Sequence, residues 1–192
     1  MNKKYLLAIF ISCLLMVAVW FRSGLMLGGG ESALAFYNPG HALSQNFFSW
    51  VDANAGSPNV NGLMSMPFYF VATLLGIVFG NILAQAIFIF IVLIIGFIAT
   101  NYLIEEFFPL SSGQSKLIAT YFYLFNFITL VNVWNRFLYV HMLLWAFLPM
   151  VLFIFYRGIN RLDLQFSILT VVVATIFSPV FAIIDPLSVT NN

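Results

Sequence analysis

Glu31 is one of only six acidic residues in a chain of 192, and it follows the run Gly28-Gly29-Gly30 just beyond the first apolar segment. A Pro39-Gly40 turn and His41 stand shortly behind it. Glycines let backbone approach a bulky ligand closely. A carboxylate at a partly desolvated surface has its pKa raised toward the range of a working base. This stretch is therefore the best candidate in the chain for chemistry. The competing reading is a solvated loop carboxylate beside a turn, and the scarcity of acidic residues near membranes weighs against it.

The elements that must position Glu31 are membrane helices. Hydrophobic residues make up 62% of the chain and charged residues 7%, with a mean hydropathy of +1.03, against about 25% charged in ordinary soluble domains. This composition predicts an all-α, multispan integral membrane protein forming a single membrane domain over residues 1–192. The net charge of +1 says nothing about nucleic acid and no Lys/Arg cluster supports it, so no nucleic-acid partner is expected. The lone Cys13 permits no internal disulfide.

Lys3 and Lys4 precede the apolar run Tyr5 to Phe21, which is longer than a signal-peptide core and lacks a cleavage site at its end. It reads as a first span with a cytoplasmic N-terminus. Residues 22–80 are expected as an extracytoplasmic loop: 22–62 are so rich in Gly, Asn, Ser and Pro that their backbone could not be satisfied in hydrocarbon. Within it, His41 to Trp50 suits a short helix and Asp52 to Gly62 reads as turns. Residues 63–79 are apolar but only about 25 Å long as a helix. Charge decides whether they cross. Five crossings leave Lys3, Lys4, Lys116, Arg157 and Arg161 inside with Arg22 and Arg136 outside, whereas six put most of the basic residues outside. Five is the expected number, with 63–79 lying along the membrane. The other four spans fall within 82–184: Ile82 to Ile104, Leu117 to Val133, Phe137 to Tyr156 and Leu164 to Ile184. Glu105-Glu106 and Arg157 to Arg161 are expected in cytoplasmic turns.

A first helix, a long outer loop with an acidic residue near its start and two lying helices before the second span together resemble the N-terminal part of the GT-C superfamily of membrane glycosyltransferases. Glu31 in Gly-Gly-Gly-Glu-Ser stands where many members have Asp. The segment Met64-Ser65-Met66-Pro67-Phe68-Tyr69-Phe70 looks like the Pro-aromatic opening of the second lying helix, most like arabinofuranosyltransferase-type members. The resemblance implies a polyprenyl-phosphate-linked sugar as donor, transfer on the outer face, and Glu31 as the base that deprotonates the acceptor or positions it through a divalent metal. Members are longer, so the resemblance also implies that 1–192 is incomplete at its C-terminus.

Arg136, with Asn135, Asn132 and His141 nearby in sequence, is expected at the outer ends of two helices, where a guanidinium fork suits the donor phosphate. The alternative is an interfacial Arg beside Trp134 and Tyr139 in an aromatic belt. His41 and Asp52 are possible accessory ligands around a metal, although no carboxylate-rich spacing supports one, and Asp185 ends the last span on the same side. No nucleotide-binding loop, zinc-type spacing or Ser/His/Asp arrangement is present. The rival from another class is a non-catalytic multispan protein, a transporter fragment or an assembly subunit. A transporter should carry ionisable residues at mid-membrane, and here they fall at span ends.

Overall fold

The computed structural model describes residues 3–28, 36–48, 50–51, 57–58, 60–135 and 138–161, together with 165, 168, 169 and 172. Its helices are α1 (Lys3–Trp20), α2 (Pro39–Asn46), α3 (Val60–Phe79), α4 (Asn81–Phe107), α5 (Gly113–Phe125), a single turn α6 (Phe127–Thr129) and α7 (Tyr139–Arg161). Among the described residues three stretches are long and apolar enough to cross a membrane: Asn81–Phe107, Gly113–Trp134 and His141–Asn160. Tyr5–Trp20 and Ser65–Phe79 are apolar but shorter.

α4 is the central helix, and α1, α3, α5 and α7 all pack on it. Its small residues Ala84, Gly96 and Ala99 alternate with Phe88, Ile89, Val92, Leu93 and Phe97 in the buried core. Small side chains matter here because lipid is as apolar as the helices themselves, leaving close packing to hold them together. α1 turns Ile9, Cys13 and Val17 inward at helical spacing and leaves Leu7, Leu14 and Leu15 exposed.

Side-chain contacts define the helix directions. Tyr5 lies against Gly113, the Tyr121 hydroxyl donates to Ser12 Oγ at 2.6 Å, and Trp20 meets Trp134, so α1 and α5 run parallel. Gly96 faces Trp145, Tyr102 meets Phe153 and Phe107 meets Tyr156, so α4 and α7 run parallel as well. Leu27, beyond the C-terminus of α1, is bonded to Gln85 near the start of α4, which makes these two helices antiparallel. One end of the bundle thus carries Lys3, the α4–α5 turn and Arg161. The other, which we term the aromatic end, carries Trp20, Gly80, Trp134 and Tyr139.

At the charged end Lys116 pairs with Glu105 at 3.6 Å and Arg157 with Glu106 at 3.2 Å. These contacts correct two expectations. Glu105 and Glu106 are part of α4 and ion-paired, and Arg157 to Arg161 continues α7 as helix. The Arg157 guanidinium also lies 5.0 Å over the Phe153 ring, which holds the extension in place. Among the described residues, Arg22 is the one Asp, Glu, Lys or Arg at the aromatic end.

Three further differences are local. The helix expected over His41 to Trp50 is shorter and begins at Pro39, where the fixed φ of proline suits a first turn and the Asn38 side chain caps the His41 amide. Of the stretch expected as turns, Asp52 to Gly62, residues 52–56 and 59 lie outside the described residues, Ser57 and Pro58 pair with Val51 and Trp50 in an antiparallel ladder, and the chain is helical from Val60. The span expected from Leu117 to Val133 breaks at Asn126, whose extended backbone ends α5. The Asn126 side-chain oxygen accepts from Thr129 N at 3.0 Å, and the Trp134 indole donates to Leu124 O at 2.9 Å, so an amide and a carbonyl freed by the break both find partners. A π-helical turn, Leu130–Trp134, completes the segment.

α3 and α4 are joined by Gly80 alone, at φ 78°, a left-handed conformation that glycine adopts without strain. Phe68 and Phe88 nonetheless meet at 5.4 Å. With helix arms of about 18 and 12 Å on either side of Gly80, that contact makes the bend acute, and α3 returns alongside α4. α2 packs on α3 through the close approach of Gly40 to Thr73 and of Pro39 to Gly76.

Candidate functional site

Glu31, Asp52, Arg136 and Asp185 lie outside the described residues. Their described flanks are well defined. On the N-terminal side of the Glu31 stretch, Leu27 N donates to Gln85 Oε1 at 2.9 Å and Gln85 Nε2 donates to Leu27 O at 2.7 Å. On its C-terminal side, Asn81 Nδ2 donates to Tyr37 O at 2.9 Å. Both ends are therefore held by amide side chains one turn apart at the start of α4. Gln85 is buried at 3% exposure, and a primary amide is suited to this duty because it donates and accepts at once. Sequence reasoning missed both amides. Their signal was two polar residues four apart where an otherwise apolar span begins, a position at which membrane helices bond to neighbouring chain.

Gln85→Met keeps the volume and removes both bonds, leaving the Leu27 amide and carbonyl unpaired at a loss of about 1–3 kcal/mol. Hydrogen exchange at the Leu27 amide is expected to accelerate by roughly tenfold or more. Unchanged exchange would show that the strap is held by other contacts.

The second half of the candidate site is approached through aromatic rings. Phe68, from the Pro-aromatic segment of α3, stacks on Tyr139 with centroids 3.9 Å apart and planes 7° from parallel. It meets Phe36 edge-on at 5.7 Å. Phe36 is the first described residue after the Glu31 stretch, and Tyr139 opens α7 just after Arg136. One ring thus joins the described flanks of the two principal candidates. Tyr69 also lies against Tyr139; burial, and then Tyr139 itself, hold its hydroxyl well above the usual phenol range, so it stays protonated.

Asn135 and His141 are exposed at the aromatic end, flanking Arg136 on the π-turn and α7 respectively. Asn132 bonds back to Ile128 O at 3.0 Å. His41 is exposed in the first turn of α2, with its amide capped by Asn38 and its carbonyl accepting from Ser44. Among the described residues no three His, Cys, Asp or Glu side chains gather as a metal site. Beside the anchors, an open apolar depression of about 700 Å³ is bordered by Phe21, Met26, Tyr37, Phe79, Asn81 and Ile82. No family model, curated protein or solved structure matches the chain.

Proposed function

We propose that the chain is the N-terminal membrane module of a GT-C-like glycosyltransferase, which takes a sugar from a polyprenyl-phosphate donor at the aromatic end of the bundle. The observation that carries this reading is the joint contact of Phe68 with Phe36 and Tyr139, because it draws together the flanks of Glu31 and Arg136. In the proposed reaction Glu31 takes the proton of the acceptor hydroxyl as the hydroxyl oxygen attacks the anomeric carbon and the lipid phosphate departs. Arg136, with Asn135 and His141 beside it, holds that phosphate. The apolar depression at Phe79 and Ile82 offers a surface for part of the lipid chain.

The proposed topology has five crossings and a cytoplasmic N-terminus. Two features support it. α1 ends and α4 begins at the same end of the bundle, so α3 with α2 on it is an excursion from that end and does not add a single crossing between them. The basic residues Lys116 and Arg157, and the helix ends bearing Lys3 and Arg161, share the opposite end, as cytoplasmic residues should.

The test is transfer of labelled sugar from a polyprenyl-phosphate donor by the full chain in membranes. Arg136→Ala is expected to raise the donor KM by about tenfold or more, the worth of a lost charge-assisted hydrogen bond. An unchanged KM would return Arg136 to an aromatic-belt role. Failure of the unaltered protein either to bind the donor or to consume it would end the glycosyltransferase reading and favour a structural subunit.

A further inference from the structure

The charged end holds a second site that the transfer chemistry does not use. There α4 and α7 border a cavity of about 680 Å³, within the range of pockets that hold small ligands. Its inner walls are apolar, formed by residues such as Ile95, Ile98, Met150 and Ile154. Its charged lining is confined to one region, where Glu105 and Glu106 from the end of α4 face Arg157 from α7, with Tyr102 beside them. The combination is an apolar shaft with two carboxylates and one guanidinium at its mouth. Glu105 remains 45% exposed and only loosely paired to Lys116 at 3.6 Å, so its carboxylate is open to a further cation.

We propose that this cavity binds a single phospholipid carrying a primary amine next to its phosphate, of the phosphatidylethanolamine type, with one acyl chain in the shaft. The charge pattern selects the headgroup. An ammonium donates hydrogen bonds to Glu105, and the phosphate is met by Arg157. A lipid with an anionic headgroup and no amine offers Glu105 no N–H and brings its charge beside two carboxylates, each of which already holds a cation. A choline headgroup presents no N–H to donate. The site depends on the chain lying in a bilayer and is independent of sugar transfer at the opposite end.

Native mass spectrometry of the full chain, released from detergent after incubation with equal amounts of phosphatidylethanolamine, phosphatidylglycerol and phosphatidylcholine, tests the proposal. The expected result is one retained phosphatidylethanolamine, favoured by about fivefold over the other two, as befits partly exposed charge pairing. Glu105→Gln should shift the preference toward phosphatidylglycerol, a reversal that misfolding does not produce. Met150→Trp should fill the shaft and remove the retained lipid while helical content by circular dichroism stays unchanged. Equal retention of the three lipids, preference for phosphatidylglycerol or no retention by the unaltered chain would overturn the proposal. A phosphatidylethanolamine preference that survives both substitutions would place the lipid elsewhere and overturn it equally.

Discussion

Under the glycosyltransferase reading proposed above, Glu31→Gln is expected to abolish sugar transfer by the full protein in membranes, lowering the rate by roughly a hundred- to ten-thousandfold, the range that a positioned general base contributes. The amide has the shape of the carboxylate and cannot take up the acceptor proton, so the loss should fall on kcat while donor binding persists. Glu31→Asp is the informative companion, since Asp is the commoner residue at this point in the proposed family. It keeps the charge on a shorter stem and should retain part of the activity. A general structural failure would not distinguish Asp from Gln in this way. The anchors of the stretch, Gln85 on Leu27 and Asn81 on Tyr37, do not involve Glu31, so the substitution should leave them intact. Turnover of Glu31→Gln at the unaltered rate, measured with labelled donor, would sink its assignment as the base.

The parts of the molecule that sequence exposes are those governed by composition and period. Apolar length marked α4 and α7, the short helix expected from His41 overlaps the observed α2, and the distribution of Lys and Arg separated one end of the bundle from the other. What escaped depends on partners distant in sequence. Residues 157–161 look like a polar turn until Glu106 and Phe153 are seen to hold Arg157 on the end of α7. Asn126 reads as one polar residue in a span, and its capping of Thr129 emerges only once the backbone has broken there. The importance of Phe68 was half legible. The Pro67-aromatic pattern singled out its segment, but nothing local indicates that its ring bridges Phe36 and Tyr139.

Gly96→Ala should destabilise the bundle by about 1–3 kcal/mol, the usual effect of adding a methyl to a filled interior. A Cβ at Gly96 would lie 2.9 Å from Trp145 Cζ3, 3.1 Å from its Cη2 and 3.4 Å from Ala146 Cα. The indole has nowhere to move, because it is stacked on Tyr123 at 5.3 Å and met edge-on by Trp134 at 5.0 Å. Relief must therefore come from separating α4 and α7, and between membrane helices close packing is the main attraction lost by doing so. Gly113→Ala provides the control. Its Cβ would approach Tyr5 Cε2 to 2.8 Å, but that ring belongs to a single side chain near the start of α1 and can swing aside, while alanine favours helix over glycine by about 1 kcal/mol or less. Unfolding of both variants by SDS titration in detergent should show Gly96→Ala well below the unaltered protein and Gly113→Ala within about 1 kcal/mol of it. Equal midpoints for Gly96→Ala and the parent would mean that α4 and α7 are not held at this separation, and the cavity and ion pair they share at the charged end would lose their framework with it.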